Sequence, residues 1–108
     1  MLETLVALAE PNRLRIVEAL RAKPHSVGEL SDRFGIRQPQ VSKHLNTLKA
    51  AGLVAVRAEA QRRIYALEPK PFQELDRWLE SYRTLWAERY SSLGEVIQEI
   101  QRKKRGTK

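Results

Sequence analysis

The chain has 108 residues, 42% of them hydrophobic and 31% charged, enough for one compact core and too few for a second independent domain. It contains no cysteine, which excludes disulfides, thiolate metal ligands and thiol redox sensing. With 20 Lys+Arg against 13 Asp+Glu the formal net charge is +7, so a polyanion is the natural partner to consider, although a merely basic surface would carry the same charge.

The opening stretch, MLETLVALAEPNR, lacks the basic segment and cleavage site of a signal peptide, and no apolar run reaches the length of a bilayer span. A cytoplasmic location and no membrane partner are therefore expected. Leu2, Leu5, Val6 and Leu8 to Ala9 predict a short apolar helix reaching Pro11, where a second helix begins because proline is tolerated in a first turn and not inside a helix. Leu14, Ile16, Val17 and Leu20 carry that helix to Arg21, and Lys23-Pro24 ends it. Ser26 with Glu29 three residues on is a capping box for a third helix, faced by Val27, Leu30 and Phe34 and broken by Gly35. Gln38 to Ala51, with Pro39 in its first turn and Val41, Leu45 and Leu48 on one face, predicts a fourth helix closed by Gly52. Leu53 to Ala58 and Arg63 to Leu67 alternate as a two-stranded hairpin with Glu59-Ala60-Gln61-Arg62 at its tip. That tip lacks glycine, which argues against a tight two-residue turn. Pro69 and Pro71 end the hairpin, a long helix runs through Leu75, Trp78, Leu79, Tyr82, Leu85, Trp86, Leu93, Val96, Ile97 and Ile100, and Arg102 to Lys108 form a frayed basic tail.

The expected fold is mainly α with a small β-hairpin wing, a winged helix-turn-helix over residues 1–70 integrated with a long C-terminal dimerisation helix over 71–101 and a basic tail over 102–108. Two short helices joined by a tight glycine turn are the spacing of a helix-turn-helix. At 100° per residue Pro39, Gln40, Lys43, Asn46 and Thr47 fall opposite the apolar stripe of the second of these helices. Gln38, Gln40 and Lys43 are the candidates for base edges, flanked by Ser42 and His44, because glutamine pairs with adenine through two hydrogen bonds and lysine donates to guanine or to phosphate. An ordinary solvated face would hold the same residue types, and the hairpin tips the balance: Arg57, Arg62 and Arg63 cluster where a wing reaches phosphates or the minor groove.

His44 with only His25 elsewhere is too few imidazoles for a metal site of three or four ligands, which leaves a structural or phosphate-contacting role. The aromatic series Trp78, Tyr82, Trp86 and Tyr90 at helical spacing reads as core or interface before it reads as a ligand pocket. Its stripe, with Leu75, Leu79, Leu85, Leu93 and Ile97, is the expected dimer interface.

Three stretches together resemble one family. Leu8-Ala9-Glu10-Pro11-Asn12-Arg13-Leu14-Arg15-Ile16 resembles the second-helix signature of ArsR-type winged-helix repressors. Gln38-Pro39-Gln40-Val41-Ser42-Lys43-His44-Leu45, with Leu48 and Ala51-Gly52-Leu53-Val54, is similar to their recognition helix and its exit, and Arg63-x-Tyr65-x-Leu67 to their wing strand. The resemblance implies a homodimer built from the first helix, with Leu2 and Leu5 at the interface, and the last helix, that represses by occupying promoter DNA. The metal sensors of the family use a cysteine pair on the third helix or Asp/His/Glu ligands on the last; this chain has no cysteine and no histidine after His44, so it resembles a metal-free branch and no metal or cofactor is expected. Arg37 stands where many relatives carry a capping serine, which adds a cation at the DNA-facing end.

The parts of an enzyme are missing from the sequence: it has no paired histidine and carboxylate, no glycine-rich phosphate loop and no metal cluster. The function expected is therefore sequence-specific binding to double-stranded DNA as a homodimeric repressor at an inverted-repeat operator. A winged-helix module for protein–protein contact or nonspecific DNA packaging is the alternative, since a fold does not dictate its use.

Overall fold

The structure, a computed structural model, describes residues 1–106, with side chains through Lys103. Five helices and three short strands follow in the order α1 (Leu2–Leu8), α2 (Pro11–Ala22), β1 (His25–Ser26), α3 (Val27–Phe34), α4 (Gln38–Ala50), β2 (Val54–Glu59), β3 (Arg62–Leu67) and α5 (Pro69–Gly106). Residues up to Glu74 make one compact unit, and α5 from Leu75 onward makes another.

In the first unit the helix boundaries follow local chemistry. Glu10 caps α2, its side chain accepting the Arg13 N–H at 2.8 Å, and Pro11 takes the first position, where its missing N–H costs nothing. Ser26 and Glu29 close the expected capping box on α3, and Gly35 ends it in the left-handed conformation at φ 64°. The Ser31 hydroxyl donates to the Ile36 carbonyl across the turn that follows, which ties the exit of α3 to the entry of α4. Ile16, Leu30, Val41, Leu45, Leu48 and Leu53 are fully buried at the centre, each such burial contributing about 1.5–3 kcal/mol. α1 turns Thr4 and Ala7 inward and leaves Leu2 and Val6 exposed.

The sheet differs from expectation in two ways. His25 and Ser26 form a strand that pairs antiparallel with β3, so the hairpin becomes a three-stranded sheet of order β1-β3-β2. His25 is buried there, its Nδ1 donating to the Lys23 carbonyl at 2.7 Å. The wing tip is a two-residue turn after all: Glu59 pairs with Arg62, leaving Ala60 and Gln61, and Ala60 takes φ 57°. A side chain in that conformation costs about 1–2 kcal/mol relative to ordinary backbone, a cost offset by completing the ladder between β2 and β3.

α5 begins at Pro69, two residues before the expected start at Pro71; first-turn N–H groups have no helical acceptor, so proline forfeits nothing there. The helix continues through Gly106, where the sequence reading placed a frayed tail from Arg102; the last two residues of that tail, Thr107 and Lys108, lie outside the described residues. From Leu75 onward α5 is polar on one side, where Arg83 pairs with both Asp76 and Glu80. Its other side exposes Trp78, Leu79, Tyr82, Leu85, Trp86, Tyr90, Leu93, Val96, Ile97 and Ile100, each at 36% or more. Trp78 and Tyr82 meet edge to face at 5.2 Å.

Candidate nucleic-acid interface

α4 meets both demands on a reading helix. Val41, Leu45 and Leu48 are fully buried and hold it to the core, while Gln38, Gln40 and Lys43 are exposed on its N-terminal half and Ser42 is half-buried between them. Arg37 supplies the N-cap position without a side-chain cap bond: its carbonyl accepts from the Gln40 and Val41 N–H groups, and its own side chain is left to solvent.

Gln38 and Ser42 of α4 share one open groove with Arg62 and Arg63 of the wing. Sequence reasoning missed the third wall of this groove, made by Ser26, Val27 and Gly28 at the start of α3 and by Gln61 at the wing tip. The Gln38 amide lies over that first turn, its Nε2 at 3.8 Å from where a Cβ on Gly28 would stand. The capping-box signature could have marked this wall, since it places the start of the first helix of the helix-turn-helix at Ser26.

Of the three wing arginines, Arg57 does not line this groove. By the β2–β3 register Arg57 lies opposite Ile64 and Arg62 opposite Glu59 on one face, and Arg63 lies opposite Ala58 on the other. Arg62 stands 3.7 Å from Glu29 and Arg57 3.5 Å from Glu59, whereas among the described residues Arg63 has no ion-pair partner. The Ser26 backbone N–H, then its hydroxyl, and then the charge of Arg62 hold the Glu29 carboxyl below its ordinary range, so it stays ionised beside the groove.

Two further candidates from the sequence lie apart from the groove. Thr47 donates its hydroxyl to the Lys43 carbonyl at 3.2 Å and borders an apolar depression with Leu2, Val6 and Ala7 of α1. His44 is half-buried, its Nδ1 3.7 Å from Glu10 Oε2 on α2. Its position could have been anticipated, because His44 is three residues from Val41 and four from Leu48 and so flanks the buried stripe. The residues named for the dimer interface lie in both units: Leu2 is exposed and Leu5 half-buried on α1, Leu75 is half-buried, and the rest of the α5 stripe is exposed. Among the described residues no group of three or more His, Cys, Asp or Glu is placed to hold a metal ion.

A tight pair of helices, the second with a buried stripe and a polar outer face, followed by a basic two-stranded wing, defines a winged helix-turn-helix protein. Comparison with known proteins agrees. Residues 8–57 match a family model described as a helix-turn-helix domain. The HTH-type transcriptional regulator Rv2034 of Mycobacterium tuberculosis is 39% identical over 93 residues, covering 82% of this chain and 87% of that protein. The transcriptional repressor SdpR of Bacillus subtilis is 28% identical over 76 residues, 70% of this chain and 84% of its own. Among solved structures, the ArsR family transcriptional regulator RHA00566 superposes with a TM-score of 0.69 at 30% identity, covering 78% of this chain and 92% of its own. The chain belongs to the ArsR family of winged helix-turn-helix proteins and is a DNA-binding transcriptional regulator.

Proposed function

We propose that this regulator is a homodimeric, cytoplasmic repressor that occupies an inverted-repeat operator in double-stranded DNA, α4 of each copy entering a major groove and the wing lying along the adjoining backbone. The observation that supports this most directly is the groove shared by Gln38 and Ser42 of α4 with Arg62 and Arg63 of the wing. Gln38, Gln40 and Lys43 read base edges, with Ser42 and Thr47 at the margins of the contact. Arg37, Arg57, Arg62 and Arg63 hold phosphates, which position the protein without reading sequence. Two-fold pairing comes from the exposed apolar stripe of α5, joined by Leu2 and Leu5 of α1; so large an unpartnered patch favours association. Repression follows from occupancy, with no catalytic step and no metal or other cofactor.

Selecting bound duplexes from random DNA with the purified protein tests this reading. The expected product is a two-fold symmetric consensus that the protein retains against excess unrelated duplex. Retention without sequence preference would identify a packaging protein, and failure to bind any duplex a module for protein contact.

A further inference from the structure

The stretch Glu10-Pro11-Asn12-Arg13 takes no part in the interface described above, yet it touches α4. We infer that Glu10 and His44 form a brace that sets the rotation of the reading helix on the corner between α1 and α2, so that His44 is a positioning residue and not a phosphate contact. The inference rests on the reading of α4 as the helix that recognises the operator.

Four observations carry it. His44 leaves the solvent-facing row of Gln40 and Lys43: its side chain is only 19% exposed, and its Nδ1 faces Glu10 Oε2 at 3.7 Å, an ion-pair distance and too long for a hydrogen bond. The same Glu10 oxygen accepts the Arg13 N–H at 2.8 Å, so the carboxylate is fixed by the N-cap geometry of α2 and cannot drift to follow His44. Arg13 in turn donates from Nε to the Ala7 carbonyl at 2.7 Å, closing the end of α1. An unbroken series of contacts, Ala7 to Arg13 to Glu10 to His44, therefore runs from the last turn of α1 to the middle of α4. Finally, α4 has no side-chain cap at Arg37 and is otherwise held by three aliphatic residues. Apolar packing is non-directional, whereas a polar contact on the flank of the stripe, Glu10 against His44, favours one rotation. A small rotation would carry Gln40 and Lys43 away from the base edges while leaving the backbone-holding arginines in place.

The test is a double-mutant cycle on full-length protein with Glu10→Gln, His44→Gln and both. It is read as affinity for the selected operator, affinity for unrelated duplex, and the dependence of each on salt. Each single variant should weaken operator binding by about threefold to tenfold, leaving affinity for unrelated duplex and the salt slope unchanged, and the double variant should be no weaker than the worse single one. Glu10→Asp, which keeps a good N-cap on a shorter arm, should behave like Glu10→Gln and guards against a loss of α2. If His44→Gln lowers the salt slope by about one unit while Glu10→Gln has no effect, His44 holds a phosphate and the brace is wrong. Multiplying losses, or unchanged operator affinity in both single variants, would also overturn it. A wild-type protein that prefers no operator would instead refute the proposed function itself.

Discussion

Arg62 of the wing and Glu29 of α3 stand 3.7 Å apart, and the Glu29 carboxylate in that pair also closes the capping box with Ser26. The wing is thus tied to the first helix of the helix-turn-helix by an arginine that DNA phosphate would compete for. Glutamine serves at the same capping position, so Glu29→Gln should keep the fold, losing at neutral pH only the stability tied to the depressed carboxyl, and raise affinity for unrelated duplex by about twofold to fivefold. The gain should vanish in an Arg62→Ala background. Weaker binding by Glu29→Gln would mean that Glu29 holds Arg62 in its contacting pose.

Glu10 and Glu29 each titrate below the ordinary carboxylate range, in both cases chiefly because a backbone N–H, of Arg13 or of Ser26, bonds the ionised form. A folded-state value below the unfolded one means the unfolded chain binds more protons in that interval. Their contribution to stability is then present above the ordinary carboxylate range and lost as pH falls through the depressed values. Urea unfolding across acid pH should show wild-type stability dropping there, and the Glu10→Gln plus Glu29→Gln protein should show a flatter profile. An identical profile would contradict the assignment.

The α5 stripe predicts a separable effect on assembly. Leu85 and Trp86 are exposed on α5, so exchanging both for glutamate removes no core packing. Sedimentation should show monomers with weakened operator binding; an unchanged dimer would place the interface elsewhere.

At Gly35 an added Cβ meets no atom within 4 Å, so the φ of 64° is the whole obstacle to a side chain. Gly35→Ala should cost about 1–2 kcal/mol in chemical denaturation, with the fold retained. No loss would mean the turn between α3 and α4 relaxes freely.

The helices were legible because their ends carry local signals: Pro11, the Ser26–Glu29 box, Gly35 and Pro39 each act within one turn of the boundary they set. β1 was not, since a two-residue strand has no alternation to read and exists only by pairing with Ile64 and Tyr65, nearly 40 positions on. The wing turn misled for a related reason: without glycine it is locally unfavourable, and the ladder from Val54–Leu67 to Glu59–Arg62 imposes it. The polar face of α4 and the half-buried flank at His44 both follow from helical period, but that Glu10 is the neighbour His44 meets there was not legible, because that partner is far away in sequence.

The division between reading helix and holding wing is the central claim, and one comparison tests it most directly: Gln40→Ala against Arg63→Ala, each measured on a set of single-base operator variants at several salt concentrations. Gln40 is exposed on the outer face of α4, and Arg63 lies in the groove with no ion-pair partner among the described residues. Gln40→Ala should cost about 1–3 kcal/mol at one or two base positions and flatten preference there, with the salt slope unchanged. Arg63→Ala should weaken every sequence alike and lower the salt slope by about one unit. An intact preference profile in Gln40→Ala together with an altered one in Arg63→Ala would contradict the assignment.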